Sequence, residues 1–180
     1  IQPSRIEAAK KSATDFLDMV PEKTRIGVIS FSGTSSIKQE ITDDKSMIAS
    51  AIQDIDISMI GGTDILNAII TSTNLLRDED AKTIILISDG QANINSLQNI
   101  IDYSNDNKVM IHSLGIGTRE GGTDESGATY TISEDTLKTI SYNTDGQYYN
   151  IKDLNDFYSS LGEIIRVTKK RAVYDLSFYL

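Results

Sequence analysis

The segment 83–90 constrains the fold more than any other part of the chain. Ile84-Ile85-Leu86-Ile87 is an unbroken aliphatic run that ends in Ser88-Asp89-Gly90. A strand with one wet face alternates apolar and polar residues. A run that is apolar at every position belongs to a strand covered on both faces, as in a parallel sheet between helices. Asp89 is then expected at the carboxyl end of that strand, where open α/β sheets gather their ligands. Upstream, Gly61-Gly62-Thr63-Asp64 leads into a helix. The two glycines let backbone approach a ligand closely, and Thr63 brings a hydroxyl to the helix mouth. A hydroxyl and a carboxylate brought by two loops to one sheet edge are hard-oxygen donors of the kind Mg²⁺ takes. Thr63 and Asp89 are therefore the candidate metal ligands. Each also has a plainer reading: Thr63 as the N-cap of its helix, Asp89-Gly90 as a turn. Asp64 reads as a first-turn residue that complements the helix dipole rather than as a ligand.

The rest of the chain supports an alternating α/β order. Ser4-Arg5-Ile6-Glu7 matches a capping box and opens a helix whose apolar face is Ile6, Ala9, Ala13, Phe16, Leu17 and Val20, stopped by Pro21. Residues 25–31 predict a strand, and 36–41 a weaker, alternating one at a sheet edge. Asp43 or Asp44 caps a helix with Met47, Ile48, Ala51, Ile52 and Ile55 on one face. The helix after Thr63 buries Ile65, Leu66, Ile69 and Leu76. Beyond the central strand, Asn95 or Ser96 caps a helix bearing Leu97, Ile100 and Ile101. Residues 109–116 predict a strand, and 118–131, polar and Gly-rich, a hairpin or an ordered loop. Ser133 caps a helix carrying Leu137 and Ile140; 146–151 is a last strand. Asp153 caps a final helix with Leu154, Phe157, Tyr158, Leu161, Ile164 and Ile165 inward. Helix and strand alternate from residue 43 onward, which predicts right-handed crossovers and a parallel sheet.

Several function classes drop out. With 17 Lys and Arg against 26 Asp and Glu, the net charge is −9, which argues against a phosphate-backbone partner and hence against nucleic acid. Without cysteine there is no disulfide, zinc–thiolate site or thiol nucleophile. His112, the one histidine, sits inside an apolar strand and reads as a structural, partly buried residue. Gly115-Ile116-Gly117 lacks the third glycine of a dinucleotide fingerprint and reads as backbone accommodation at a strand end. Tyr148 and Tyr149 fall on opposite faces of a strand, so at least one is core. No apolar run approaches the roughly 18 residues needed to cross a bilayer. No catalytic constellation stands out, and an enzyme is not expected.

Pro3-Ser4-Arg5-Ile6-Glu7-Ala8-Ala9-Lys10, Ile26-Gly27-Val28-Ile29-Ser30-Phe31, Gly61-Gly62-Thr63-Asp64 and Ile87-Ser88-Asp89-Gly90 resemble, in order and spacing, successive blocks of a von Willebrand factor A domain. Within that family the chain is most similar to domains of microbial membrane-anchored proteins of the aerotolerance-operon type. The resemblance implies a three-layer, doubly wound α/β fold, with a mainly parallel, Rossmann-like sheet flanked by helices. It also implies a metal-ion-dependent adhesion site. In the family an Asp-x-Ser-x-Ser loop after the first strand, a Thr and an Asp hold a divalent cation; matched here, the Thr is Thr63 and the Asp is Asp89. The cation would be Mg²⁺, or Mn²⁺ or Ca²⁺, and its last position would take a carboxylate from a protein ligand. The family's first strand, central between the strands at 25–31 and 83–88, is expected just before Ile1, so the metal site is incomplete in this sequence.

The expected organisation is an α/β domain over 1–168 and a basic linker with an apolar tail over 169–180. The expected function is cation-dependent protein binding, in adhesion or assembly. The alternatives are a partner subunit of an ATPase or chelatase-type assembly, and a structural domain that has lost its metal. The run Lys169-Lys170-Arg171 suits a helix C-terminus. The tail after it reads as a further strand, a link to another domain or the start of a membrane segment. The preferred reading is a link toward a membrane, with the basic run near the bilayer surface.

Overall fold

A computed structural model describes residues 5–55, 64–88, 97–116, 122–123, 129–130 and 134–176. The elements run α1 (Arg5–Phe16), β1 (Ile26–Phe31), β2 (Ser35–Thr42), α2 (Lys45–Gln53), α3 (Ile65–Leu75), β3 (Lys82–Ser88), α4 (Leu97–Asp106), β4 (Val109–Ile116), β5 (Gly122–Thr123), β6 (Thr129–Tyr130), α5 (Glu134–Asn143), β7 (Tyr148–Ile151) and α6 (Leu154–Leu176). The main strands form two pieces, an antiparallel ribbon β1–β2 and a parallel sheet in the order β3–β4–β7. Strands β5 and β6 pair antiparallel, so a hairpin occupies part of 118–131.

The aliphatic run of β3 behaves as its sequence requires. Ile84 and Leu86 point into a core built from α3, α4, α5 and β4, with Ile65, Ile69, Ile100, Ile111, Leu137 and Ile140. Ile85 and Ile87 point the other way, against Phe16 of α1 and Phe157, Leu161 and Ile164 of α6. The sheet is thus the middle of three layers. Each fully buried Leu, Ile or Phe contributes about 1.5–3 kcal/mol relative to exposure. The ribbon has its own satellite core of Leu17, Ile48 and Ile52, flanked by Ile26 and Val28.

Two glycines show where side chains had to be given up. A Cβ on Gly115 would meet the Tyr148 hydroxyl at 2.6 Å, so the ring of β7 lies over the end of β4. A Cβ on Gly146 would stand 1.8 Å from the Ile111 carbonyl oxygen, so the turn into β7 runs hard against β4.

Four expectations need correction. Met47 is 50% exposed and Leu154 39% exposed rather than inward, since both belong to the first turns of their helices and only Ile48 and Phe157 reach the core there. Helix α1 ends at Phe16; Leu17 and Val20 are buried beyond it, in a turn closed by the Met19 N–H on the Phe16 carbonyl (2.9 Å). The final helix does not stop before the basic run. It continues through 169–171 to Leu176, so 172–176 is helix rather than a further strand. Lys, Arg and Ala are good helix formers, and nothing in Thr168-Lys169-Lys170-Arg171-Ala172 breaks the chain of i→i−4 bonds. Residues Ser4, Asn95, Ser96 and Ser133, read as caps, lie outside the described residues.

Candidate functional site

The carboxyl edge of the sheet is assembled from loop entries on both pieces. β1 ends at Phe31, and the carbonyl of Ser32 accepts a hydrogen bond from the Asp64 backbone N–H at 2.9 Å. That contact pins the mouth of α3 to the end of β1. Asp64 is the N-cap: its backbone is non-helical (φ −96°, ψ 82°) and its Oδ1 accepts the Asn67 N–H at 2.9 Å. The cap is therefore one residue later than a Thr63 cap would be, and the Asp64 carboxylate is engaged as a cap rather than as a first-turn charge. Thr63 and Asp89 themselves lie outside the described residues. Their described neighbours are Asp64, at the end of β1, and Ser88, the last residue of β3.

Arg25, just before β1, forms an ion pair with Glu79, which precedes β3 (Nη1 to Oε1, 2.8 Å), so the approaches to the two strands lie close together. The parallel registers extend the edge sideways: Ser88 lies beside Gly115 of β4, and Gly115 beside Asn150 of β7.

At the far side of this edge stands a residue that sequence reading missed. Glu134, in the first turn of α5, is 7% exposed. Its carboxylate pairs with Lys138 one turn on (2.9 Å) and accepts from Asn150 Nδ2 at 3.3 Å. The Lys138 ammonium in turn lies 5.3 Å from the centre of the Tyr148 ring. A buried carboxylate needs such partners, because its desolvation is otherwise very costly. The signal available in the sequence was the i,i+4 Glu–Lys spacing, which surface helices also show.

His112 is fully buried on β4, and its Nδ1 accepts the Gln147 backbone N–H at 3.1 Å. That acceptor role fixes a neutral ring with its proton on Nε2, a structural role in the strand-to-strand join. Tyr148 and Tyr149 do face opposite cores, and burial, helped by the nearby Glu163 charge, pushes the Tyr149 phenol up to about 12. Among the described residues no group of three or more His, Cys, Asp or Glu could hold a metal ion. Among them, too, no helix is long and apolar enough to cross a membrane.

A family model for the von Willebrand factor type A domain matches residues 1–91. A UPF0353 protein of Nocardia farcinica is 22% identical over 194 residues, covering 92% of this chain and 58% of its own. The chain thus spans little more than half the length of that curated relative. Among solved structures, an aerotolerance-related membrane protein from Bacteroides fragilis superposes with a TM-score of 0.81 at 22% identity, over 92% of this chain and 90% of that one. Proximal thread matrix protein 1 from the mussel byssus, in a structure described as having a zinc-occupied MIDAS motif, gives a TM-score of 0.68 at 20% identity, over 89% of this chain and 39% of that one.

Proposed function

The chain belongs to the von Willebrand factor type A family, and from that premise we propose that it is a divalent-cation-dependent protein-binding module. Thr63 and Asp89 would supply two of the metal's oxygen ligands. The observation that supports this reading is the Asp64 N–H bond to the Ser32 carbonyl, which sets the residue after Thr63 at the end of β1, while Ser88, the residue before Asp89, ends β3. The cap on α3 belongs to Asp64, so the helix does not need the Thr63 hydroxyl for capping. The positive end of the α3 dipole at the same edge favours an acidic group there. A bound Mg²⁺, Mn²⁺ or Ca²⁺ would supply a Lewis-acidic position for a carboxylate of the partner protein. This chain's own contribution would be the two hard oxygen donors Thr63 and Asp89.

The likeness to membrane-associated aerotolerance proteins supports a tethered domain that works outside the bilayer. In that arrangement Lys169, Lys170 and Arg171, carried on α6, would lie toward the lipid surface.

Calorimetry tests the metal reading. Two ligands are too few for a near-octahedral ion, so Mg²⁺ should bind the 180-residue chain weakly. An N-terminal fusion that adds a strand ending in Asp-x-Ser-x-Ser should bind it well, and Asp89→Ala in that fusion should remove most of the gain. Equal Mg²⁺ affinity in all three proteins overturns the proposal.

A further inference from the structure

Two lysines staple α1 to α2, one at each end of their contact. The Lys45 ammonium, at the start of α2, donates to the Val20 carbonyl beyond α1 at 2.7 Å. The Lys10 ammonium, on α1, donates to the Gln53 carbonyl at the end of α2 at 2.8 Å. The two helices therefore run antiparallel, over an apolar seam of Ala13, Leu17, Ile48 and Ile52. The Lys10 staple is also closed into a ring. Gln53 Nε2 donates to Thr14 Oγ1 at 2.9 Å, and the Thr14 hydroxyl donates to the Lys10 carbonyl at 2.9 Å.

Local sequence sets this up. Lys11 has Asp15 four residues on and pairs with it at 2.7 Å, the ordinary use of a helical lysine. Lys10 has Thr14 at the same spacing, so its charge reaches to another element instead. The carbonyl it meets is one of the orphan acceptors of a helix C-terminus, where a cation also complements the dipole.

We propose that Lys10 is a positioning residue for the candidate metal site, a role that rests on the metal reading above and acts through residues 54–63. That segment leaves α2 at Gln53 and brings Thr63 to the mouth of α3. Both of its flanks are held by described contacts: Gln53 by the Lys10 ammonium, Asp64 by the Ser32 carbonyl. Gly61 and Gly62 give the segment wide backbone freedom. Fixing its start removes part of the ordering entropy that ion binding must otherwise overcome. A donor held at both flanks keeps its place relative to donors from other elements, and metal affinity depends on that support. The ring itself is exposed, so it adds little to global stability. Lys45 is the built-in control: it has the same chemistry on the same pair of helices, but its carbonyl lies on the approach to β1 and not on the segment that carries Thr63. A staple that only stabilises would make the two lysines equivalent.

Mg²⁺ calorimetry on the Asp-x-Ser-x-Ser fusion tests this, with urea midpoints measured on the same proteins. Lys10→Met keeps most of the aliphatic stem and removes the donor; it should weaken Mg²⁺ binding by about tenfold. Lys45→Met should weaken it by less than about twofold while lowering the urea midpoint as much as Lys10→Met does. Lys10→Arg, which can still donate to the Gln53 carbonyl, should restore the affinity. Equal losses of affinity from the two methionine variants, unchanged affinity in Lys10→Met, or no recovery in Lys10→Arg each overturn the positioning role and leave the metal reading standing. A fusion that fails to bind Mg²⁺ with Lys10 in place overturns the metal reading, and the positioning role with it.

Discussion

The sheet β3–β4–β7 and the ribbon β1–β2 are built from strands of similar length, yet they solve burial differently. Between β3 and β4 the register is unbroken over seven pairs from Lys82–Val109 to Ser88–Gly115. Seven of the eight residues of β4 are buried. Between β1 and β2 the register shifts twice, at 26–28 and at 28–29, and no residue of either strand is fully buried. Parallel strands covered on both faces do not admit a slip, which would turn every side chain to the wrong face, and they hold a polar residue only with a partner, as His112 has in the Gln147 N–H and Ser113 in the Ser141 hydroxyl. A ribbon with one wet face tolerates both, and bulges there increase its twist. The parallel sheet keeps one strict register, and the ribbon departs from it twice.

The harshest way to break the contrast is at Gly146. An alanine there would place its Cβ 1.8 Å from the Ile111 carbonyl oxygen and 2.5 Å from its carbon, with backbone that cannot swing aside. Gly146→Ala should cost about 3 kcal/mol or more, at the upper end for overpacking. Denaturant unfolding measures it. A cost under about 1 kcal/mol would mean that the join between β4 and β7 gives way as easily as the ribbon does.

A matched pair of truncations sharpens the same point. Ile111, fully buried at the centre of β4, should lose about 2–5 kcal/mol on change to alanine. Ile37, 43% exposed on β2, should lose under about 0.5 kcal/mol for the same atoms removed. The ratio of the two, read from urea midpoints at constant m-value, decides whether the halves differ in energy as they do in geometry.

This difference also explains what could be read in advance. The parallel half was legible because continuous aliphatic runs leave one interpretation: Ile84 to Ile87 and the strand at 109–116 fell where expected. The ribbon was legible from alternation around Ile37, Gln39 and Ile41. Two readings failed where local chemistry permits two answers. Thr63 and Asp64 are both good caps, and only the backbone angles and the Asn67 hydrogen bond assign the position to Asp64. Lys169-Lys170-Arg171 marks a helix end in many chains, yet the same residues also extend a helix, here to Leu176. Glu134 was passed over because a Glu–Lys pair one turn apart is common on wet surfaces, whereas here the carboxylate is buried and also takes a hydrogen bond from Asn150. For the candidate site, the glycine pair, the hydroxyl and the carboxylate were visible as residue types. The place of the α3 mouth at the end of β1 became visible only through the Ser32–Asp64 hydrogen bond.

The smallest expected effect lies on the ribbon's side and concerns acid. Helix α2 covers the ribbon, with Ile48 and Ile52 against Ile26 and Val28, and Asp44 caps it. The Asp44 carboxylate accepts the Ser46 hydroxyl at 2.6 Å, the Ser46 N–H at 2.9 Å and the Met47 N–H at 3.3 Å. Those bonds, the Ser46 hydroxyl first, hold its pKa below the ordinary 3.8. A depressed folded-state value means that the carboxylate's stabilisation is complete above the unfolded value. It is lost as pH falls through the folded one. Asp15, tied to Lys11 and to the Tyr158 hydroxyl, is also held below its ordinary value, so acid melts of the unaltered chain report both groups. Asp44→Asn separates them, since asparagine caps well but does not titrate. At neutral pH the Asp44 protein should melt slightly higher than the Asn variant, and the gap should close below about pH 4. The effect is small because the carboxylate is exposed and water screens it. Amide exchange at 46–53 should quicken over the same acid range before that of β4 does. A melting gap that stays constant down to about pH 2 would mean that the cap works through geometry alone, without its charge.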